Sequence, residues 1–270
     1  MLRKILTLAL LLIFSFINHA QILLNPAQIT NIAAKQRMYS QRLSRAKVSK
    51  IYNVDADNMQ RQLTTGIILF EENLKVLGSY VASNEYKLKV DQVNYLWKDF
   101  IKQIESDDVS AANKIIKTNS ELLNACNEVV KELNVYFKSK GGSEKSNYES
   151  QIADFCATSG RLRYLSQRLS LYYVYAFNNA SKPPVELKNT MDLFETTLST
   201  LLTCQFNNSE IDENISKVYI EWNKLKSLVG EDGKIVVNEK SVSPETMIEN
   251  CDRILALGEK ITGMYVALLK

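Results

Sequence analysis

The feature that most constrains the fold is an internal duplication. The octapeptide RMYSQRLS at residues 37–44 recurs 126 residues later as RYLSQRLS at residues 163–170, with six of eight positions identical. Three further matches follow in the same order: Leu69-Phe70-Glu71 with Leu193-Phe194-Glu195, Trp97 with Trp222, and Asn119–Leu133 with Asn250–Met264. Such self-similarity indicates that one structural module occurs twice. We place the modules at residues 21–140 and 141–270, with the boundary inside the polar segment 139–146.

Composition and periodicity predict that both modules are helical. The 270 residues include only 9 glycines and 4 prolines, too few for the turns of a sandwich or barrel. Helices are predicted near residues 26–52, 56–82, 85–105 and 108–138 in the first module, and near 147–178, 184–205, 209–229 and 244–269 in the second. Residues 234–237 are predicted to form a loop. Short connections favour antiparallel neighbours. The predicted fold class is therefore all-α, a tandem pair of up-down four-helix bundle modules after a signal peptide, with Trp97 and Trp222 as core anchors.

Residues 1–20 have the pattern of a signal peptide. Arg3 and Lys4 precede an apolar run of 13 residues at 5–17, and Ala20 offers a small residue before a cleavage site. The run is too short for a comfortable transmembrane helix. We therefore expect a cleaved signal peptide and a periplasmic or secreted protein.

The only histidine, His19, lies within this predicted signal peptide. Its removal would leave no histidine for Ser-His-Asp or Cys-His catalysis, or for a histidine-based zinc site. No paired acid/base arrangement of carboxylates stands out either. We therefore expect no enzyme activity, no metal and no cofactor. The formal net charge of only +3 gives no reason to expect nucleic acid as a partner.

The first helix of each module carries two stripes. One is an apolar seam that suits the module's own core. The other, which we call the polar column, has the same residue types in both copies at helical spacing: Thr30, Ala34, Arg37, Gln41, Ser44 and Val48 in the first, and Cys156, Gly160, Arg163, Gln167, Ser170 and Val174 in the second.

A polar stripe on a helix is usually a solvated face. Here, however, two otherwise different copies keep the same column. Arginine presents a planar fork that fits carboxylate, nitrate or phosphate oxygens. If the two first helices pack together, within one chain or across a homodimer, Arg37 and Arg163 would repel one another and a small anion between them would relieve that repulsion. Arg42 and Arg168 are predicted to bind neighbouring carboxylates within the bundle.

The segment from Asn31 to Arg42 resembles the motif of the PilJ-type family, the N-terminal sensor domain of type IV pili methyl-accepting chemotaxis transducers. That family is related to the periplasmic sensor domains of nitrate/nitrite histidine kinases. The resemblance implies a helical bundle outside the inner membrane and an anion site at Arg37 and Arg163. The glycine typical of the family three residues before the arginine is kept as Gly160, whereas Ala34 replaces it in the first copy.

The resulting expectation is a non-catalytic sensor-type protein that binds a small, nitrate- or nitrite-like oxyanion. Its site would comprise Arg37 and Arg163, aided by Gly160, Ala34, Gln41 and Gln167. The family's transmembrane and output segments are missing, so a response would need a membrane-bound signalling partner or a pilus-associated protein. The alternative is a structural or interaction module in which the polar column docks onto such a partner.

Four cysteines allow three fully paired arrangements. Cys156 lies 25 residues before the hairpin expected near residue 181, and Cys204 lies 23 residues after it. Antiparallel helices would bring both to one level, so we predict a Cys156–Cys204 disulfide. Cys126 and Cys251 are expected to remain buried thiols.

Overall fold

The computed structural model describes residues 24–106, 108–179, 185–227 and 242–269, and these residues are almost entirely helical. They form eight helices: α1 Pro26–Ile51, α2 Ala56–Ser79, α3 Asn84–Glu105, α4 Ala111–Ser139, α5 Glu144–Asn179, α6 Val185–Leu202, α7 Ser209–Lys226 and α8 Pro244–Ala267. No strand occurs among them. The all-α prediction is confirmed, and each helix end lies within three residues of its predicted position.

Capping residues explain where the first and last described helices, α1 and α8, begin. The Asn25 side chain accepts a hydrogen bond from the Gln28 backbone N–H, and the Gln28 side chain accepts one from Asn25 N–H. This reciprocal capping satisfies two donors that have no partner inside the helix. Pro26 then supplies a preset backbone angle in the first turn. At α8, the Ser243 side chain accepts a hydrogen bond from a backbone N–H of the first turn, and Pro244 occupies that turn.

The helices pack around a central pair. α1 and α5, the first helices of the two sequence repeats, make the most extensive contact in the described chain. In the first half, α1 also packs against α2 and α4, and α3 packs against α4; in the second half, α5 packs against α6 and α8, and α7 packs against α8. The two halves therefore meet along the helices that carry the polar column.

Both halves contain the same aromatic stack. The Phe70 and Trp97 rings lie 4.0 Å apart at their centroids, with 15° between their planes. The Phe194 and Trp222 rings lie 4.3 Å apart, with 19° between their planes. All four side chains are buried, which confirms Trp97 and Trp222 as core anchors.

α1 and α5 are buried on nearly every side along their middle turns, because each is covered by helices of its own half and by the other central helix. Their polar side chains are therefore inside the protein. Arg37 is only 3% exposed and Arg163 is fully buried. The expectation for an ordinary polar stripe, a solvated helix face, does not hold for this one.

The predicted signal peptide at residues 1–20 and the predicted loop at residues 234–237 lie outside the described residues. Within the described ranges, no helix combines the length and hydropathy that a membrane span requires.

Candidate functional site: a buried arginine pair

Arg37 of α1 and Arg163 of α5 meet at Gly160. A Cβ atom placed on Gly160 would lie 2.9 Å from Arg163 Nη2, 3.1 Å from Arg37 Nη2 and 3.0 Å from the Ala34 methyl group. Since both terminal nitrogens lie within 3.1 Å of one point, at most about 6 Å separates them. The absence of a side chain at Gly160 gives both guanidinium groups their room. Four of the six predicted site residues, Ala34, Arg37, Gly160 and Arg163, are thus brought together.

Neutral groups bind the guanidinium of Arg37. Its Nη2 donates to the Ala157 carbonyl of α5 at 2.8 Å, and its Nη1 donates to Asn127 Oδ1 of α4 at 3.4 Å. The ring of Tyr164 lies beneath it, 5.3 Å from the guanidinium carbon. No acidic side chain pairs with Arg37 among the described residues.

This environment disfavours the charge on Arg37. Burial, together with the positive charges of Arg163 and Arg161, lowers the pKa of Arg37 from its ordinary value to about 10, although the neighbouring Tyr164 acts in the opposite direction. The arginine stays charged at neutral pH. Its charge nevertheless costs free energy that a bound anion would return.

Arg163 differs because it has an acidic partner. Its Nη1 donates to Glu259 Oε2 of α8 at 2.5 Å, while Lys35 Nζ of α1 lies 2.7 Å from Oε1 of the same carboxylate. Burial alone would raise the pKa of Glu259, but Arg163 and Lys35 hold it below its ordinary value. Glu259 therefore stays ionised at neutral pH and bridges the two halves.

Three N–H groups of the pair have no hydrogen-bond partner although they are buried: the Nε atoms of Arg37 and Arg163, and Arg163 Nη2. Buried donors are normally satisfied, so such atoms call for an explanation. Because they belong to two cations at one glycine, an anionic acceptor is the ligand that fits them best.

The predicted glutamines belong to a neighbouring layer. Gln41 Nε2 donates to the Asn119 carbonyl at 3.4 Å, and Gln167 Nε2 donates to Asp252 Oδ1 at 3.1 Å. Each lies four residues after its arginine, or about 6 Å along the helix axis. The structure gives neither a contact with Arg37 or Arg163, so their predicted part in the site is not supported by the geometry.

Of the other two motif arginines, Arg168 bonds to the opposite half and Arg42 bonds within its own half. Arg168 donates to Gln41, Asn119 and Ser120. The Nε of Arg42 donates to Gln62. The prediction that both bind carboxylates is wrong for the described residues, because their hydrogen-bond partners are amides and a hydroxyl. The arginine with a carboxylate in this layer is Arg45, which lies 2.6 Å from Asp252 of the other half.

A cleft of about 470 Å³ opens beside Arg37. It lies between α4 and α5, with α6 at one side. Its lining includes the cations Arg37, Arg161, Lys131 and Lys138, but only one acidic residue, Glu128. Arg37 therefore reaches an open, positively charged cleft.

Comparison with known proteins yields no relative. No family model matches the sequence, and neither a curated protein nor a solved structure shows a significant match. Within the part of the chain that the structure describes, no cluster of three or more histidine, cysteine, aspartate or glutamate residues is arranged to hold a metal ion.

The four cysteines are buried and unbonded, so the predicted Cys156–Cys204 disulfide is not formed in this structure. Both residues lie near Tyr265. The estimate of equal height along two antiparallel helices did not account for rotation about the helix axes, which also decides whether two sulfurs meet. Cys126 and Cys251 are buried thiols, as expected.

Reasoning from the sequence missed Lys35, Arg161 and Glu259. The first two had a detectable signal, because both copies carry a basic residue two positions before the column arginine. Glu259 also had one, since Glu128 occupies the matching position when Asn119–Leu133 is aligned with Asn250–Met264.

Proposed function

We propose that this protein is an exported, non-catalytic sensor-type binding protein, built from two related four-helix modules, that binds a small oxyanion between Arg37 and Arg163. The observation that carries the proposal is the convergence of two buried guanidinium groups on Gly160. Export to the periplasm or beyond rests on the sequence of residues 1–20.

Electrostatics supports an anion at this place. Two unit charges about 6 Å apart repel by about 3 kcal/mol at an effective dielectric constant near 20. Glu259 compensates from the side of Arg163, whereas Arg37 has no acidic partner. An oxyanion between the arginines would relieve the repulsion and accept hydrogen bonds from the unpartnered N–H groups.

The position of the site supports a sensing role. The two arginines come from α1 and α5, so an anion between them would bias the packing of one half against the other. A ligand shifts a conformational equilibrium only by its difference in affinity for the two states. We infer that the spacing of α1 and α5 is the property that changes, and that a membrane-bound signalling or pilus-associated protein reads it.

One chain supplies both arginines, so the proposed site needs no second copy of the protein. The polar column is also buried between α1 and α5. If the protein acted instead as a docking module, its partner would have to bind a different surface.

Isothermal titration calorimetry of the full chain with nitrate, nitrite, sulfate and phosphate tests the proposal. We expect saturable binding of at least one of these anions, its loss in Arg37→Gln and Arg163→Gln, and its retention in Lys102→Gln. Lys102 is an exposed cation on α3 that pairs with Asp99 and does not line the cleft, so its variant controls for net charge. Absence of heat with all four anions, or equal binding by the arginine variants, would overturn the proposal.

A further inference from the structure

The structure contains a built-in example of how a carboxylate is held at the interface between α1 and α5. The carboxylate of Glu259 forms ion pairs with Arg163 of α5 and with Lys35 of α1. One oxygen pairs with each cation, at 2.5 Å and 2.7 Å. We call this arrangement the filled cradle.

The duplication provides a second cradle with the same charges. The position that matches Arg163 is Arg37, and the position that matches Lys35 is Arg161. Both line the cleft between α4 and α5, and the charge of Arg161 acts on Arg37. Neither forms an ion pair among the described residues, so this cradle holds two cations without a carboxylate.

The carboxylate that could fill it from within is held elsewhere. Glu128 matches Glu259 and also lines the cleft, but it is exposed and lies 3.6 Å from Lys131, one turn along α4. The position that matches Lys131 is Thr262, which is buried and whose hydroxyl forms a hydrogen bond with the hydroxyl of Ser159. In the first half, Lys131 therefore competes with the cradle for Glu128. In the second half, no lysine occupies the matching position to compete for Glu259.

We propose that the Arg37–Arg161 cradle binds the carboxylate of a small organic acid that enters through this cleft. The inference rests on the proposed anion-binding role of Arg37 and adds a ligand class and a second binding mode. The volume of about 470 Å³ suits an organic molecule, since binding pockets for such ligands begin near 300 Å³. Val130, Val135, Leu193 and the ring of Tyr164 offer apolar contact for its carbon skeleton.

A second polar group in the cleft, the side-chain amide of Asn134, narrows the class of ligand. The amide oxygen of Asn134 is buried without a hydrogen-bond partner and belongs to a residue that lines the same cleft. An unsatisfied acceptor favours a ligand that also carries an N–H or O–H donor. Amino acids and hydroxy acids combine a carboxylate with such a donor, so they are the class that this cleft fits.

Four compounds with one carbon skeleton test the inference by calorimetry on the full chain: L-valine, 2-hydroxyisovalerate, isovalerate and L-valinamide. We expect the first two to bind. Isovalerate lacks the donor and should bind about tenfold more weakly, and valinamide lacks the carboxylate and should not bind detectably.

Variants assign the binding to the cradle. Arg161→Gln should weaken the binding of valine or hydroxyisovalerate at least about tenfold, whereas Arg161→Lys should retain most of it. Lys35→Gln is the matched control because it removes the corresponding cation of the filled cradle and should leave the affinity unchanged. Glu128→Gln should bind the acid more tightly, since a competing carboxylate is removed. Circular dichroism establishes that each variant is folded.

The outcomes separate this inference from the proposed function. If no organic acid binds while nitrate or another oxyanion does, the cradle inference is overturned and the proposed function stands. If acids bind but Arg161→Gln changes nothing, or if valinamide binds as well as valine, the cradle is not the site. If neither oxyanions nor acids bind, both are overturned.

Discussion

Replacing Arg37 with methionine separates a functional arginine from a structural one. Burial lowers the pKa of Arg37 from its ordinary value to about 10, and a difference of one in pKa corresponds to about 1.4 kcal/mol. Keeping this charge inside the protein therefore costs about 3 kcal/mol. Methionine removes that cost and retains an apolar stem of comparable length.

The same substitution removes hydrogen bonds to the Ala157 carbonyl and to Asn127. A hydrogen bond to a charged group contributes about 1.5–3 kcal/mol net. The bond to Asn127 is long, at 3.4 Å, and therefore weak, so the bond to Ala157 accounts for most of the loss and the loss and the gain are of similar size. We expect the free energy of unfolding of Arg37→Met to lie within about 1 kcal/mol of the parent, while anion binding disappears.

Urea denaturation followed by circular dichroism measures this quantity. Arg45→Met is the matched control, since Arg45 is equally buried but pairs with Asp252. Because Asp252 is one-third exposed, we expect that variant to lose about 1–3 kcal/mol. A loss of 3 kcal/mol or more in Arg37→Met would show that Arg37 is held for stability, and the argument for a functional charge would fail.

Three further predictions concern the same region. Gly160→Ala should destabilise the fold by about 1–2 kcal/mol and weaken oxyanion binding, because its methyl group would press on both guanidinium groups. The control Gly263→Ala, on open helix surface, should stabilise the fold by up to about 1 kcal/mol. Thermal unfolding measures the stability of each variant, and calorimetry measures its oxyanion binding. Glu259→Gln should lower the free energy of unfolding by about 1–2 kcal/mol at pH 7. Since the pKa of Glu259 is lowered in the folded state, this difference from the parent should shrink as the pH falls below about 4.5. In the same urea titrations, the control Glu128→Gln should stay near the parent at every pH. All four buried cysteines should react with Ellman's reagent only after denaturation without reductant; two reactive thiols instead of four would reveal a disulfide.

Much of the helical framework could be predicted because its signals are local. Caps such as Asn25 and Ser243, prolines in first turns and apolar periodicity set the helix ends within three residues. The burial of Arg37 and Arg163 also followed from the sequence, because a solvated face has no reason to keep the same arginine in two divergent copies.

The composition of the site was harder to predict. Spacing along one helix identified the polar column but could not show which of its side chains converge on one point, so the prediction groups Gln41 and Gln167 with the arginines. The role of Glu259 depends on how α8 packs against α5, which is a long-range property. Sequence alignment of the two copies could not show that Glu259 pairs with Arg163 and Lys35 whereas Glu128 pairs with Lys131 of its own helix.

The presence of both halves in one polypeptide has a consequence for how such a protein can diversify. In an assembly of two identical subunits, each amino-acid change occurs at both symmetry-related positions. Here the two copies differ: Arg163 pairs with Glu259, whereas Arg37 has no acidic partner among the described residues, and Lys131 stands where the second half has Thr262. A single chain can thus keep the ion pairs of Glu259 in one copy while the matching positions of the other copy change independently.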